Sequence, residues 1–462
     1  WCVSRQRSWG VGIPVFYCQG CGKEVMTRET FDAAYKAVAE GGSDAWFEKS
    51  AEEILPKGFK CPHCGGAEFS KENDVLDVWF DSSVSHAAVL ENNPDLEWPA
   101  SMYLEGSDQH RGWFQVSLIT ATAIKGTAPF LSVLTHGYTV DGEGKKMSKS
   151  IGNLITADEA CKKYGADIVR LWAASENYRN DVRFSKEITD RLIDSYRRIR
   201  NTCRYMLGNL HGFDPSKDAV SLENMLILDR YMLHRLQLLV QDCTAAYEKY
   251  EWFEFYQRFL QFCSVELSAF YFDIVKDRLY ISAPDSQGRR SCQTALREIL
   301  DTLLPIMAPV LAFTAEEAYL SAGPRPDAMS VHLLDWPAVK KEYLNPALDS
   351  EFSKLLETRK TVMKALEDAR NAKIIGHPYE AKVAVKVKDA GQLALLKKHE
   401  PDLPSFFIVS RVSLDASDCD SAVAEKADGA KCGRCWIFSA STGLDAAHPA
   451  VCAKCADVLK QT

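Results

Sequence analysis

A short loop between glycines brings three lysines close together. Residues 142–150 read Gly-Glu-Gly-Lys-Lys-Met-Ser-Lys-Ser, and the glycines leave this backbone free to move. A reaction that expels pyrophosphate builds negative charge on several oxygens at once, and mobile ammonium groups stabilise that charge most in the transition state. We therefore interpret Lys146 and Lys149 as candidate phosphate-binding residues. From residue types alone, an ordinary solvated turn is an equal alternative.

A second polar stretch, residues 102–114, combines a glycine with carboxylate and amide groups. Glu105, Asp108 and Gln109 flank Gly106, a residue that permits close backbone approach to a ligand. Carboxylates and amides can bind an ammonium group and ribose hydroxyls. The alternative is a polar loop that only caps a helix beginning near Gly112. His136 precedes the lysine loop and is either a further contact to adenosine or a histidine at a strand end.

Eight of the fifteen cysteines form four Cys-x-x-Cys pairs, which predict two metal sites. A sixteen-residue gap separates the two C-terminal pairs, a spacing that can close a tetrahedral zinc site. The N-terminal pairs lie further apart but also offer four sulfurs. Free or buried thiols are the alternative for both, and His448 is a weaker alternative ligand. The predicted zinc ligands are Cys432, Cys435, Cys452 and Cys455 in the tail, and Cys18, Cys21, Cys61 and Cys64 in the first set.

The elements that position these groups change character along the chain. Apolar runs at 11–17, 75–80 and 131–140, with a helical pattern near 111–125, predict an α/β sheet with parallel strands. Residues 17–73 look like a zinc-bearing insertion into that sheet. Amphipathic periodicity from 186 to 320 predicts an all-α bundle, which Pro324 and Pro326 interrupt. A charged helix follows at 345–370, then strands at 381–387 and 406–412, and a Ser/Asp/Ala-rich linker at 414–431.

Composition excludes some classes of protein. The net charge of −8 argues against a surface that binds polyanions nonspecifically, although a local basic face remains compatible with it. No run of about 18 apolar residues occurs, so we expect no membrane span. Cysteine pairs at metal-site spacing and an odd total favour a reducing compartment, the cytoplasm.

Together these motifs resemble the class I aminoacyl-tRNA synthetases. Residues 146–150 match the family's second signature residue for residue, and 102–114 resemble its active-site stretch in the isoleucine, valine and leucine subgroup. Residues 77–82 and 1–10 resemble the segments that tether inserted domains to the catalytic sheet, although Ser83 stands where that pattern usually has glycine. The Cys-x-x-Cys-Trp tail resembles the isoleucine branch, since valine enzymes typically end in a coiled coil.

The resemblance implies an ATP-dependent ligase that activates L-isoleucine, with Mg²⁺ accompanying ATP, and transfers it to tRNA-Ile. It assigns Lys146 and Lys149 to phosphate charge, and Glu105, Gly106, Asp108, Gln109 and His136 to the nucleotide or aminoacyl-adenylate. It also implies a domain order, which is the Rossmann-like catalytic half at 1–16 and 74–155, the zinc insertion at 17–73, a stem-contact region at 156–190, the anticodon-binding bundle at 191–345, a junction domain at 346–424 and a zinc tail at 425–462.

The family's first signature, His-x-Gly-His, does not occur in the sequence, and neither does an editing domain. We therefore expect a C-terminal fragment that works with a missing N-terminal half, is inactive alone, and is monomeric. A valyl- or leucyl-tRNA synthetase fragment is one alternative. The other is a stand-alone tRNA-binding module with a vestigial lysine loop.

Overall fold

The computed structural model describes residues 1–323 and 328–461, which form two compact units. Unit 1 consists of Trp1–Thr139 and Tyr178–Val182, and unit 2 consists of Val140–Asn177 and the residues from Arg183 onward. Pro324 and Pro326, expected to interrupt the bundle, lie outside the described residues.

Unit 1 contains short strands and helices. Its strands are β1 (Ser4–Arg5), β2 (Phe16–Cys18), β3 (Glu24–Val25), β4 (Phe69–Lys71), β5 (Val75–Leu76), β6 (Tyr103–Gly106) and β7 (Val133–His136). Its helices are α1 (Arg28–Gly41), α2 (Ala45–Glu48), α3 (Ala51–Ile54), α4 (Val78–Ser83) and α5 (Trp113–Lys125), with a π-helix at His86–Leu90 and a 3₁₀ helix at Ser107–Arg111. Strands β8 (Thr139–Val140) and β9 (Val182–Arg183) lie where the chain passes from one unit to the other.

The predicted parallel sheet is confirmed at one strand pair. β6 and β7 run parallel in the register Glu105↔Thr135 and Gly106↔His136, and α5 lies between them in the chain. Tyr103 at the start of β6 is 3% exposed and stacks on Trp113 of α5 at 4.0 Å between ring centroids. This contact fixes the helix against the strand that carries Glu105.

Two strand predictions in this unit are wrong. Only Val75–Leu76 of the run 75–80 is extended, because the Asp77 side chain accepts a hydrogen bond from the Trp79 N–H at 2.8 Å and starts helix α4. The run 11–17, expected in the catalytic sheet, is extended only at its end, where Phe16 and Tyr17 belong to β2 between β3 and β4 in a small antiparallel sheet. The 16/17 boundary therefore falls inside a strand that carries a cysteine of the insertion.

Unit 2 is mainly helical. Its helices are α6 (Ala157–Tyr164), α7 (Ala166–Ser175), α8 (Lys186–Asn209), α9 (Pro215–Asp218), α10 (Ile227–Glu248), α11 (Trp252–Gln261), α12 (Phe272–Tyr280), α13 (Gln287–Met307), α14 (Ala312–Ser321), α15 (Pro346–Asn371), α16 (Ala390–Lys398), α17 (Leu403–Phe407) and α18 (Ala453–Gln461). A π-helix at Phe262–Tyr271 joins α11 to α12. Short 3₁₀ helices lie at Leu222–Asn224, Val331–Leu333, Lys341–Tyr343, Pro378–Glu380 and Glu400–Asp402.

The predicted all-α bundle is confirmed, and apolar side chains at helical spacing fill its core. Met232, Leu236 and Cys243 on α10 are all fully buried, as the periodicity predicts. Cys263 is likewise buried, which fits the interpretation of the scattered cysteines as small apolar residues. Asp167 at the start of α7 accepts hydrogen bonds from the Phe313 and Thr314 N–H groups and so caps α14.

A three-stranded sheet follows the bundle, made of β10 (Ala381–Val387), β11 (Arg411–Ala416) and β12 (Ser421–Lys426) in the order β11-β10-β12. The linker predicted at 414–431 is wrong, since β12 pairs antiparallel with β10 across Val383↔Ala424. Its inward residues are alanines, whose small side chains give a weak hydrophobic pattern. The strand predicted at 406–412 begins only at Arg411, because Phe406 and Phe407 end helix α17 in the core.

The tail adds the strands β13 (Ala430–Lys431) and β14 (Phe438–Ser439) before α18. Across the described residues, every helix is too short or too polar to span a bilayer.

Candidate nucleotide-binding and zinc sites

The carboxyl ends of β6 and β7 bring three predicted site residues together. Glu105, the last residue but one of β6, is exposed, and Gly106 lies directly opposite His136 in the parallel register. A Cβ at position 106 would lie 2.8 Å from Asp108 Oδ1, so glycine leaves room for that carboxylate over the strand end. Ligands of open α/β sheets bind at the carboxyl ends of strands, where this cluster lies.

The Gln109 side chain is already engaged within the protein. Its Oε1 accepts a hydrogen bond from the Trp113 N–H at 3.0 Å, and its Nε2 donates to Asp108 Oδ2 at 3.0 Å. The amide therefore caps α5, which was the structural alternative considered from the sequence. Asp108 and Glu105 keep exposed carboxylates, and so they are the freer groups of this stretch.

A close backbone approach next to His136 was not predicted from the sequence. A Cβ on Gly137 would lie 2.2 Å from the Asn180 carbonyl oxygen, so no other residue fits this position without backbone movement. The Gly137 N–H donates to the Tyr178 carbonyl, and the Tyr138 N–H donates to Asp181. His136 Nδ1 donates to the Gly137 carbonyl at 2.8 Å, which leaves Nε2 as the ring nitrogen for a ligand. The spacing of residues 137 and 180 in the sequence gives no signal for this contact.

Asn153 closes the lysine loop in unit 2. Its Oδ1 accepts from the Ser148 N–H at 3.0 Å, and its Nδ2 donates to the Lys146 carbonyl at 3.2 Å and to Asp141 Oδ2 at 2.9 Å. Asp141 Oδ1 in turn accepts from two backbone N–H groups, those of Glu143 and Lys145. These hydrogen bonds, led by the one from Asn153, lower the pKa of the Asp141 carboxyl below its ordinary value.

The three lysines of the loop are not equivalent. Lys145 is paired with Glu143 at 2.7 Å, whereas the exposed ammonium groups of Lys146 and Lys149 have no ion-pair partner among the described residues. Free ammonium groups on an exposed loop remain available for phosphate oxygens. This difference agrees with the choice of Lys146 and Lys149 over Lys145.

Both predicted cysteine quartets come together in space. In each one, four sulfur atoms lie within 4.8 Å of one another. Cys18 and Cys64 are 3.5 Å apart, Cys21 and Cys61 are 3.8 Å apart, and Cys435 and Cys452 are 3.7 Å apart. Sulfurs at the corners of a tetrahedron around zinc, each about 2.3 Å from the metal, lie about 3.8 Å apart. Both quartets therefore fit a closed Zn²⁺ site, with no position left for a water that could react.

Backbone N–H groups favour the thiolate form of one cysteine in each quartet, Cys432 in the tail and Cys18 in the first set. Burial raises the pKa of the Cys432 thiol, but N–H groups of Cys435 and Cys452 outweigh it and lower that pKa to about 6. The same balance, with N–H groups from Cys21 and Gly20, lowers the pKa of Cys18 to about 7. The quartets differ in burial, since all four C-terminal cysteines are buried whereas Cys64 of the first set is exposed. His448 is not part of the C-terminal cluster in the described structure.

Three family models match consecutive parts of the chain. The model described as tRNA synthetases class I (I, L, M and V) matches residues 1–185. The anticodon-binding domain of tRNA ligase matches residues 229–385, and the zinc finger found in FPG and IleRS matches residues 429–458. Their order follows the catalytic half, bundle and zinc tail expected from the motifs.

Curated relatives match over essentially the whole chain. The isoleucine–tRNA ligase of Syntrophotalea carbinolica is 50% identical over 469 residues, which cover 99% of this chain and 50% of the relative. Those of Caldanaerobacter subterraneus subsp. tengcongensis and Geobacter sulfurreducens are each 48% identical and cover 100% of this chain and 51% of the relative. The chain thus spans about half the length of the curated relatives it matches.

A solved structure shares the fold. The LeuRS of Agrobacterium radiobacter K84, solved in a ternary complex with tRNA and LeuAMS, matches with a TM-score of 0.55 at 16% identity, over 90% of this chain and 50% of that one. The motifs, the parallel strand pair, the helical bundle and the two cysteine quartets agree with these matches. Residues 1–185 thus carry a class I tRNA synthetase domain, and the relatives that the chain matches at about 50% identity are isoleucine–tRNA ligases.

Proposed function

We propose that this chain supplies the C-terminal half of an isoleucine–tRNA ligase. In the complete protein, the isoleucine carboxylate attacks the α-phosphorus of ATP, pyrophosphate leaves, and the aminoacyl group passes to the ribose of tRNA-Ile. The observation that carries the proposal is the agreement of isoleucine–tRNA ligases with the whole chain at about 50% identity, including the zinc tail.

The residue roles follow from where each side chain lies and from whether its polar atoms already have a partner in the protein. Glu105, Gly106, Asp108 and His136 lie at the strand ends of unit 1, where they would bind the aminoacyl-adenylate, with Gln109 positioning Asp108. Lys146 and Lys149 would bind the departing phosphates, whose charge Mg²⁺ shares when it accompanies ATP. The zinc ions are structural, because four thiolates fill the coordination shell.

We further propose that the chain needs the N-terminal half of the protein for chemistry. The His-x-Gly-His signature that completes the phosphate site in this family does not occur in the sequence. Loss of one charge-stabilising donor typically costs about 3 kcal/mol in the transition state. The purified chain should therefore show no isoleucine-dependent ATP–pyrophosphate exchange. Exchange above background would contradict this division of labour. We expect a monomer in the cytoplasm, where its fifteen cysteines stay reduced.

A groove of about 790 Å³ between α8 and α14 is the surface that we propose for tRNA. Hydrogen-bond donors line it on the side of α8, namely the side chains of Asn201, Arg204 and His211. Its floor is apolar and consists of Cys203 and Leu207. Donors around an apolar floor suit a sugar–phosphate strand with unstacked bases.

The charges of this groove favour an anionic occupant. Among the described residues that line it, Glu317 is the one carboxylate, and Arg200 binds both its oxygens at 2.6 and 2.7 Å. Arg204 has no ion-pair partner among the described residues, so its charge remains available. Arg197, one turn before Arg200 on α8, pairs with Asp194 on the exposed helix face. Of these three arginines, Arg204 is the best candidate for a phosphate contact.

Gly208 gives a direct test of the groove. A Cβ there meets no atom within 4 Å, so Gly208→Leu fills the groove without a clash. We expect Gly208→Leu to weaken binding of a tRNA-Ile transcript about tenfold, or about 1.4 kcal/mol. Gly208→Ala is the matched control, because it makes the same change to the helix backbone but adds one methyl group, and it should bind like wild type. Arg204→Gln should lower the salt dependence of binding by about one phosphate contact.

The same titrations distinguish the alternatives. Preference for tRNA-Ile over tRNA-Val and tRNA-Leu supports the isoleucine assignment, and preference for either of the others would replace it. Equal affinity for all three would favour a stand-alone tRNA-binding module. Unchanged binding by Gly208→Leu would remove the α8–α14 groove as the tRNA surface.

A further inference from the structure

The two zinc knuckles of the tail each carry a cation at the same position. Cys432-Gly433-Arg434-Cys435 and Cys452-Ala453-Lys454-Cys455 both place a basic residue directly before the second cysteine. Tetrahedral coordination fixes the backbone of both knuckles around one metal ion. It therefore also fixes the origins of these two basic side chains relative to each other.

Both cations reach the same target, the C-terminal turn of α12. Lys454 Nζ forms an ion pair with Asp277 at 2.5 Å, and Arg434 Nη1 donates to the Ile281 carbonyl at 2.6 Å. Asp277 is largely buried, with 13% of its side chain exposed. The Asp277 carbonyl, in turn, accepts the Ile281 N–H that closes the helix.

The end of a helix is a suitable receptor for cations. Its last carbonyl groups lack partners within the helix, and the helix dipole places partial negative charge there. Asp277 adds a full charge to this end, and the side chain of Ile281 packs against the cluster that contains the four buried cysteines. The charged contacts and the apolar contact therefore lie at the same end of α12, which is 153 to 177 residues from the knuckle cations in the sequence.

We propose that the C-terminal quartet, when it holds zinc, clamps the tail onto the end of α12 through Arg434 and Lys454. Zinc fixes the spacing of the two cations, and that spacing matches the separation of the Asp277 carboxylate and the Ile281 carbonyl. Without zinc the knuckles lose their fixed geometry, the two contacts are no longer made together, and the end of α12 becomes exposed. The zinc site thus fastens the tail to the helical bundle as well as folding the tail itself.

Hydrogen exchange of the full chain, measured on peptides that span 277–284, tests the clamp. Chelation of zinc should accelerate exchange there at least about tenfold, the effect of losing one charge-assisted hydrogen bond. The double variant Arg434→Ala/Lys454→Ala should accelerate it similarly while it still binds two zinc ions per chain. Retained zinc with rapid exchange is a result that a merely structural zinc site does not produce.

A charge exchange makes the test specific for the ion pair. Asp277→Lys and Lys454→Asp should each accelerate exchange, and the two together should restore protection. Ser410→Ala is the matched control, because it removes the hydroxyl that accepts a hydrogen bond from the Phe438 N–H of the same tail and leaves the knuckle cations in place. Cys64→Ser controls for the other zinc site and should not affect residues 277–284. Wild-type exchange after loss of the C-terminal zinc, or in Arg434→Ala/Lys454→Ala, would overturn the proposal.

Discussion

Asn153→Ala tests whether the lysine loop is held in a defined shape. The change removes two hydrogen bonds to the loop backbone, those with the Ser148 N–H and the Lys146 carbonyl. Each is worth about 1 kcal/mol, so closure of the loop should lose about 2 kcal/mol, or roughly 30-fold in the equilibrium between closed and open forms.

Hydrogen exchange at the Ser148 and Gly152 amides measures this equilibrium directly. In wild type the Gly152 N–H donates to the Ser148 carbonyl, so its protection reports loop closure. Glu143→Ala is the control, because it removes only the partner of Lys145, and protection should stay at the wild-type level. Equal protection in Asn153→Ala and wild type would refute the idea that Asn153 holds Lys146 and Lys149 in position.

Three further outcomes are expected. Asp167→Ala should destabilise unit 2 by about 3 kcal/mol in urea unfolding, because it removes a buried cap that accepts charge-assisted hydrogen bonds. Asp167→Asn should cost about half as much, and equal losses from the two variants would contradict the capping role. His234 is buried and accepts a hydrogen bond from the Asn345 N–H, and its burial lowers its pKa. The free energy of unfolding should therefore be full above about pH 6.5 and fall as the pH drops below that value. His234→Gln should flatten this pH dependence, and an unchanged slope would exclude His234 as its source. A chelator should remove the zinc at Cys64 before the zinc at the buried Cys455, and zinc release in a single phase would contradict the difference in burial.

The acid sensitivity of the loop follows from Asp141 in the same way. Its pKa is lowered in the folded protein, chiefly by Asn153, so its contribution is present above the ordinary carboxyl range of about pH 4 and is lost as pH falls through the lowered value. Exchange across 141–153 should stay slow at pH 5. Rapid exchange there already at pH 5 would be inconsistent with this sign.

The sequence predicted best where residue type and spacing determine geometry. Two Cys-x-x-Cys pairs at this spacing favour one tetrahedral centre, and both quartets come together in this way. Residues at three- and four-residue spacing on α10 are buried as the helical period requires. Parallel strands were expected from the strand–helix–strand order, and β6 does pair parallel with β7, although a strand at 103–106 was not among the predicted ones.

The wrong predictions share a physical cause, which is a local contact that the hydrophobic pattern does not encode. Asp77 caps a helix that begins in the apolar run at 78–80, where a strand was expected. The inward residues of β12 are alanines, whose weak hydrophobic pattern gave no signal for a strand within the expected linker. The contact between Gly137 and Asn180 and the capping role of Gln109 depend on tertiary geometry, so residue types gave no means to find them. The same holds for the cations of the zinc knuckles, whose target on α12 is far away in the sequence.

The central claim is most directly tested by ATP–pyrophosphate exchange with a panel of amino acids, on the polypeptide that joins this chain at Trp1 to the N-terminal half of the Syntrophotalea carbinolica isoleucine–tRNA ligase. We predict exchange that depends on L-isoleucine, with weaker exchange for L-valine because one methylene group is worth only about 1–3 kcal/mol in a hydrophobic pocket. Changing Lys146 and Lys149 to alanine should abolish it. Exchange that depends on leucine or valine in preference to isoleucine, or exchange that survives without both lysines, would contradict the account.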